Sequence, residues 1–511
     1  MTRAIALLLA AALPSAALAD VGVTDEAQIA VGRARKYRPL LTFRPGAVRV
    51  AAPLSAALRS EGVQGFATDL DGNDFSPDAA LDTQLRVGLI VDSEATFAPL
   101  FFKAEYEHDL LTGQLAGGAP DDFEGVDPAL SGEAETRLRK AYGRVTLGPF
   151  LTFGGGFMTS HWGLGLLAND GAHGWTPGSA QFSDPRGGDR VLRGFVSTGP
   201  WTHERLLLTV GYDVVRGDDV LLSGDEATQL VAAAVLNYDK PRTAGVYAAF
   251  RSQETADGKK TDVSAVDFYG RWRGLIAGKV RYTTELEWAL VTGTTELAPS
   301  VERAEHDVLQ MGLTARMGFD FGGAGAVFDF LYASGDRNFD DGDQNGFKPD
   351  PNYEQGLLLY RSVLATTSAR SATTAADPNL VGVPSEDLDR YPFRGSAANT
   401  VALFPKGWWR PIAGLEIYGG PLVAFTNVAY ADPRESRFRG GKPTNPYGGE
   451  PGAYLGTEFD LGVRYRALFE GTELTLGLEG GVLQPGNAFD DADGNPLGPV
   501  SGGRATFQVR L

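Results

Sequence analysis

Hydrophobic and polar side chains alternate with a period of two along most of this chain. The clearest example is the stretch KVRYTTELEWAL at residues 279–290. Successive side chains of a β-strand point to opposite faces, so such a stretch has one apolar wall and one ionised wall. The apolar wall consists of Val280, Tyr282, Thr284, Leu286, Trp288 and Leu290, and the other wall of Lys279, Arg281, Thr283, Glu285, Glu287 and Ala289. We interpret the ionised wall as the side that faces water.

The same alternation recurs and predicts about eighteen strands, with about sixteen as the alternative count. The first strand is expected near 40–50 and the last at 501–511. Short and long links alternate: 274–277 and 322–324 are short, whereas 108–134, 160–188 and 336–395 are long. This alternation predicts an all-β fold, a transmembrane antiparallel β-barrel with short periplasmic turns and long outer loops. A soluble propeller or solenoid would show a repeat of fixed period, and we find none.

The chain divides into three predicted regions. Residues 1–19 combine Arg3, a short apolar run and an Ala-Leu-Ala site, a pattern typical of a secretory signal peptide. Residues 20–39 are expected to form a periplasmic N-terminal segment, and 40–511 the barrel, with 336–395 as a long outer loop. The sequence contains no cysteine, so disulfides do not contribute to its stability. The predicted location is the bacterial outer membrane, with lipid and lipopolysaccharide as surrounding partners.

Charge is distributed unevenly between the predicted loops and strands. The formal net charge is −18, and acidic residues concentrate in the predicted outer loops. The inward-facing positions of the clearest predicted strands carry more arginine than carboxylate residues. A basic lumen raises the local concentration of anions. An alternative is that mixed ion pairs merely brace the inner wall. The candidate pore-lining residues are Arg205, Arg271, Arg273, Lys279, Arg281, Glu285, Glu287, Arg316, Glu458, Asp460, Arg464, Arg466 and Arg510.

An Asp- and Asn-rich run in the predicted loop 336–395 is a candidate calcium site. Its oxygen donors are Asp340, Asp341, Asp343 and Asn345, which surround a glycine. Alternating carboxylate and amide oxygens around a glycine turn suit calcium, although the glutamate that completes an EF-hand is missing. Ordinary turn chemistry is the alternative explanation. No other cofactor is predicted.

Catalysis and nucleic-acid binding are not predicted. Of the five histidines, His161 alone has a suggestive neighbour, Ser160, and adjacent residues in a strand point apart. The sequence has no P-loop, zinc signature or nucleophile elbow, and no basic run for nucleic acid. The chain is therefore predicted not to be an enzyme.

Three short blocks in the C-terminal third resemble the alginate-export family of outer-membrane barrels. They are residues 332–336 (YASGD), 456–461 (GTEFDL) and 484–489 (QPGNAF). The resemblance implies an eighteen-stranded pore with an arginine-rich constriction that passes an anionic polysaccharide outward. By position, Arg464 and Arg466, which follow Glu458 and Asp460, match such a lining.

The predicted function is an outer-membrane pore or exporter for anionic solutes, including a polysaccharide, with periplasmic export partners. A general, weakly selective diffusion porin is one alternative. A structural or adhesive surface barrel with acidic loops is the other. The apolar stretch GLLLYRSVLA at 356–365 discriminates between them, because it would restrict the pore if folded inward and form an interaction surface if projected outward.

Overall fold

A computed structural model describes the chain over residues 41–44, 48–70, 74–75, 80–93, 100–113, 135–148, 151–184, 188–201, 205–218, 220–221, 223–237, 240–297, 303–337, 341–366, 396–432, 435–436, 439–469 and 471–511. The predicted signal peptide, the predicted periplasmic segment and Asp340 lie outside the described residues.

Eighteen antiparallel strands in the described residues form a closed barrel, which confirms the predicted fold class. They are β1 (Val48–Ala52, continued by Leu54–Val63), β2 (Ala80–Ser93), β3 (Leu100–Gly113), β4 (Glu135–Leu147), β5 (Leu151–Thr159), β6 (Arg190–Trp201), β7 (Leu206–Gly217), β8 (Glu226–Leu236), β9 (Arg242–Glu254), β10 (Lys260–Ile276), β11 (Val280–Thr295), β12 (His306–Asp320), β13 (Ala324–Ala333), β14 (Thr400–Ile412), β15 (Leu415–Tyr430), β16 (Gly452–Phe469), β17 (Thr472–Pro485) and β18 (Val500–Arg510). Each strand pairs with the next along the chain, and β18 pairs with β1, where Phe507 lies opposite Leu58.

The prediction of the first strand near 40–50 was wrong. The barrel strand β1 begins at Val48 and continues to Val63, and Leu41–Phe43 forms a short additional strand beside its start. Pro53 interrupts the strand because proline has no N–H donor for the ladder of hydrogen bonds. Its carbonyl still accepts the N–H of Gly88 at 2.9 Å. The small residues of 54–63 weaken the hydrophobic signal further, so the sequence pattern placed the strand too early.

The outer face of the barrel carries many exposed apolar side chains. They include Val210, Tyr212, Phe250, Leu286, Leu309, Phe328, Phe459, Leu461 and Leu478. A closed barrel satisfies its backbone hydrogen bonds between strands, and an outward apolar band suits lipid. The protein is thus an outer-membrane barrel. Among the described residues, no helix has the length and apolarity needed to cross a membrane.

Residues 160–184, the first insert, leave the long-loop end of β5 and return into the barrel. Trp162 donates its indole N–H to Asp267 of β10 at 3.0 Å. Further along, the N–H of Gly178 donates to the carboxylate of Glu416 on β15, and the carbonyl of Phe182 accepts a hydrogen bond from Arg504 on β18. Inward side chains of β10, β15 and β18 come from different parts of the closed wall. The first insert therefore crosses the lumen.

Residues 341–366, the second insert, also lie inside the barrel. Tyr353 bonds Thr314 of β12, and Tyr360 bonds Thr400 of β14 at 2.8 Å between the hydroxyl oxygens. The two inserts meet where the N–H of Asp350 donates to the carbonyl of Leu166 at 2.9 Å. Together with apolar residues of the wall, the inserts form the main buried cluster of the described chain, to which they contribute Leu166, Phe182, Phe347, Tyr353, Leu357, Leu358, Tyr360 and Val363.

Candidate functional site

A wall carboxylate on β16 holds the second insert. Glu458 points into the barrel and accepts the backbone N–H groups of three consecutive residues, at 2.5 Å from Leu357, 2.9 Å from Leu358 and 2.8 Å from Leu359. These residues lead into the helical turn Leu359–Leu364, whose first N–H groups have no partner within the turn. Hydrogen bonds to an ionised acceptor are the stronger kind. Glu458 therefore anchors the start of this turn to the wall.

A second wall carboxylate holds the first insert in the same way. Glu287 of β11 is fully buried and accepts the N–H of Leu166 at 3.0 Å and that of Leu164. Both Glu287 and Glu458 were predicted to line the pore. In the structure, both point inward but bind insert backbone rather than face open water.

A glycine with positive φ stands beside each of these carboxylates. Gly163 has φ +58° and Gly356 has φ +73°. A Cβ atom added at Gly163 would lie 2.4 Å from Oε2 of Glu287, and one at Gly356 would lie 2.8 Å from Oε1 of Glu458. Any other residue would thus meet both backbone strain and a clash with the anchoring carboxylate.

Several of the predicted pore-lining arginines make ion pairs along the inner wall. Arg316 of β12 pairs with Asp329 of β13 at 2.7 Å, and Lys406 of β14 reaches the same carboxylate at 2.6 Å. Arg464 of β16 pairs with Glu479 of β17 at 2.8 Å. Such cross-strand pairs brace neighbouring strands.

The remaining candidates divide between the wall and the rims. Arg466 and Arg510 share Glu473, the latter at 3.4 Å. Glu285 accepts the hydroxyl of Tyr269 at 2.7 Å. Arg271 is buried and donates to Thr243, Arg273 is half-buried on β10, and Asp460 is buried on β16.

Two candidates lie in turns rather than on strands. Arg205 has φ +50° and precedes the first residue of β7. Lys279 lies in the exposed turn before β11, which places it at the rim and not on the predicted inner wall. The alternating pattern continues into the residues of each short turn. Alternation alone therefore predicted strands that are too long at these ends. Arg281, one step inside this rim, is exposed and pairs with Asp320 at 2.7 Å.

The exposure of the two partners is unequal in several wall pairs. Arg410 is 27% exposed whereas its partner Glu416 is 2% exposed, and Arg86 is 20% exposed whereas Asp109 is 1% exposed. The same order holds for the pairs Arg316–Asp329, Arg466–Glu473 and Lys103–Glu105. It is reversed for Arg139–Glu107 and Arg59–Asp184. In the five pairs with the first order, the cation is the more exposed partner.

Two pairs in the long loops show the opposite order. Glu450 is more exposed than Lys442, and Asp257 is more exposed than Lys259, whereas Arg439 is more exposed than Glu435. Exposed carboxylates therefore occur in these loops, while partly exposed cations lie along parts of the wall. Sequence analysis missed Arg86, Lys103 and Arg410, although their inward parity was a signal that could have found them.

A cavity of about 330 Å³ lies towards the long-loop end, between the wall and both inserts. Its lining is mainly apolar and includes Leu167, Val191, Val215, Tyr247, Val263 and Phe347. Its charged lining residues are Asp189, Asp218, Arg251, Asp336, Lys348 and Asp350. Mixed linings of this kind are typical of sites for small organic molecules.

Two carboxyls of this cavity have shifted pKa values. Burial raises the pKa of Asp189 well above its usual range, and the nearby carboxylates of Asp350 and Asp218 raise it further. Burial alone would also raise the pKa of Asp218, but its ion pair with Arg251 holds that pKa below the usual value. The cavity thus favours a protonated Asp189 beside an ionised Asp218.

The calcium candidate is only partly within the described residues. Asp341 and Asp343 are exposed, and Oδ1 of Asp341 accepts the N–H of Asp343 at 2.9 Å. The N–H of Asn345 donates to Asp336 at 2.9 Å. These are turn contacts. Calcium binding at this run stays a prediction.

Comparison with solved structures identifies proteins that share this fold. Pseudomonas aeruginosa OccK9 (OpdG) matches over 90% of this chain and 98% of its own, with a TM-score of 0.51 and 14% sequence identity. The fold is that of an outer-membrane porin. Pseudomonas aeruginosa OccK2 (OpdF), solved in complex with glucuronate, matches over 90% of this chain and 98% of its own, with a TM-score of 0.51 and 10% identity. At these identities the likeness establishes the fold alone.

The sequence matches no family profile and no curated protein. The resemblance to the alginate-export family is therefore supported only as far as the porin architecture, and the structural neighbours are porins of another kind.

Proposed function

We propose that this barrel is an outer-membrane pore for small anionic solutes. The observation that carries the proposal is the unequal exposure of the wall pairs. At Arg410 and Arg86, as at Arg316 and Arg466, the cation is partly exposed while its carboxylate is buried. A passing anion meets guanidinium groups that are held in place by their buried partners.

The two inserts support a restriction by size. They pack against each other and against wall strands from several parts of the barrel. A barrel of about eighteen strands would otherwise leave a wide aqueous channel. A lumen occupied by packed inserts suits a small solute better than a polysaccharide chain.

The glucuronate complex of OccK2 (OpdF) supports the same class of solute. Glucuronate is a small sugar acid, and its carboxylate matches the bidentate geometry that arginine offers.

The test is ion selectivity in a planar bilayer. The reversal potential of the refolded protein is measured in a salt gradient for the wild type and for Arg86→Gln, Arg410→Gln and Arg466→Gln. Lys442→Gln, in an exposed long-loop pair, is the matched control. One charge at about 10 Å in water favours an anion by roughly 0.4 kcal/mol and disfavours a cation by roughly the same amount, so each wall variant should reduce the anion-to-cation permeability ratio about fourfold.

The possible results separate the functions. An anion preference that falls in the wall variants and persists in Lys442→Gln supports the proposal. Current without ion preference would favour a weakly selective diffusion porin. A folded barrel that carries no current would favour a structural or adhesive role.

A further inference from the structure

Two histidines and one aspartate converge within the first insert. Nδ1 of His173 lies 3.0 Å from Oδ1 of Asp170, and Nδ1 of His161 lies 3.8 Å from the same oxygen. The two imidazole rings stack with centroids 3.9 Å apart. His161 and Asp170 are buried, while His173 is partly exposed. Three donor atoms of the types that bind transition metals therefore lie within 4.8 Å of one another.

The loop around this group is held by contacts from the wall and from its own chain. Arg139 of β4 donates to the backbone carbonyl of Asp170 at 2.7 Å. Its charge is compensated by Glu107 of β3 at 2.8 Å. The carbonyl of Asn169 accepts the N–H of Asp189 at 2.9 Å, which ties the loop to the start of β6. The arrangement of the three donors is thus built by β4, β5 and β6 together.

The position of His161 is further fixed by a glycine. Gly165 has φ +84°, and a Cβ atom there would lie 3.0 Å from Cε1 of His161 and 2.4 Å from Nδ2 of Asn169. The chain therefore passes the imidazole as closely as a residue without a side chain allows.

The donor spacing fits a small divalent ion. Zinc binds imidazole nitrogen at about 2.0 Å and carboxylate oxygen at a similar distance, so two ligands at a tetrahedral angle are about 3.3 Å apart. The observed separations of 3.0 and 3.8 Å lie on either side of this value. Calcium and magnesium prefer sets made of oxygen alone, whereas two imidazoles favour zinc, nickel or copper.

We propose that His161, Asp170 and His173 form a binding site for a divalent transition metal ion. The ion takes Nδ1 of both histidines and Oδ1 of Asp170, and water completes its coordination on the exposed side of His173. It joins the end of β5 to the turn at 170–173 and so fixes the first insert within the lumen. This inference is independent of the proposed pore function, because it concerns the insert alone.

The test is calorimetric titration of the untagged, full-length protein in detergent with Zn²⁺ after treatment with chelator. We expect one site per chain. His173→Ala, which changes a partly exposed side chain, should weaken Zn²⁺ binding at least about tenfold. Asp170→Asn should also weaken it. His108→Ala, which removes an imidazole of β3 outside this group, should leave binding unchanged.

The result that overturns the proposal is a wild-type protein that binds no Zn²⁺, or one whose binding survives in folded His173→Ala. Circular dichroism of each variant establishes the folded barrel. Since His173 is partly exposed, its variant keeps the test informative even if Asp170→Asn fails to fold.

Discussion

Oε1 of Glu458 accepts the backbone N–H of Leu358 at 2.9 Å, although the two residues lie 100 positions apart in the chain. Glu287 makes the equivalent contact with Leu166 at 3.0 Å, across 121 positions. Each contact joins a wall strand to an insert that begins at the long-loop end of the barrel. We infer that the two glutamates decide where the inserts lie, because each one satisfies several N–H donors that would otherwise be buried without a partner.

Replacing Glu458 should loosen the second insert. Glu458→Gln keeps the shape of the side chain but removes its charge and places an amide donor against one of the three N–H groups. We expect a loss of about 1–3 kcal/mol in the local free energy of opening. Hydrogen exchange of a peptide covering 357–364 should then be faster by roughly 5- to 150-fold. Glu450→Gln, at an exposed residue of a long loop, is the matched control. Unchanged exchange at 357–364 would contradict the anchoring role.

Adding a methyl group at Gly356 should also release the insert. Gly356→Ala combines a positive φ with a Cβ only 2.8 Å from Glu458. Gly258→Ala is the control, because Gly258 has φ +88° but no atom within 4 Å of the added Cβ. Both variants incur the backbone strain of about 1 kcal/mol, and only Gly356→Ala adds the clash. Thermal unfolding should show a larger loss for Gly356→Ala. Equal losses of thermal stability in the two variants would mean that the carboxylate of Glu458 moves away from the added methyl group without a cost in free energy.

Removing the second insert should widen the pore. In a variant with 340–390 replaced by a short Gly-Ser linker, the lumen loses the apolar cluster around Leu358 and Phe347. We expect a larger single-channel conductance than that of the wild type, because of the two described inserts only the first then remains inside a barrel whose wall encloses a wide channel. Bilayer recording of the folded variant measures this directly. Conductance equal to that of the wild type would show that this insert does not restrict the passage.

The carboxyl of Asp189 gives a pH dependence with a definite sign. Its pKa is raised in the folded protein by burial, Asp350 and Asp218, while the unfolded value is about 3.9. Its contribution to stability is therefore fully present below the unfolded pKa and is lost as the pH rises through the folded one. Asp189→Asn removes this titration and can keep the hydrogen bond from Asn169. The variant should match the wild type at low pH and become progressively more stable than the wild type as the pH rises.

Calorimetric unfolding at a series of pH values measures that difference. Asp257→Asn, at an exposed carboxyl, reports the general effect of removing one negative charge. A difference between Asp189→Asn and the wild type that stays constant with pH would refute the assignment.

Much of the wall could be predicted from the sequence. The face to which Leu286 or Glu287 points follows from a period of two, which is a local property of the strand. The same rule placed Arg316, Arg464 and Arg466 on the inner parity, where the structure has them. It failed at Pro53, where the pattern is interrupted, and at Arg205 and Lys279, where a turn replaces the strand.

The partners of the inward side chains could not be predicted. Arg410 and Glu416 are six positions apart and meet because a tight turn joins β14 to β15, whereas His161 and His173 meet only because the first insert folds back on itself. Neither the spacing nor the residue types of the histidine pair distinguish it from two unrelated loop residues.

The sequence by itself determined that the chain forms a closed β-barrel with lipid on one face, because alternation, turn residues and link lengths are all local and repeat along the chain. Tertiary structure alone decided that 160–184 and 341–366 lie inside the barrel. The destination of a long link depends on wall groups from distant strands, such as Glu287 and Glu458, which are brought together only when the barrel closes.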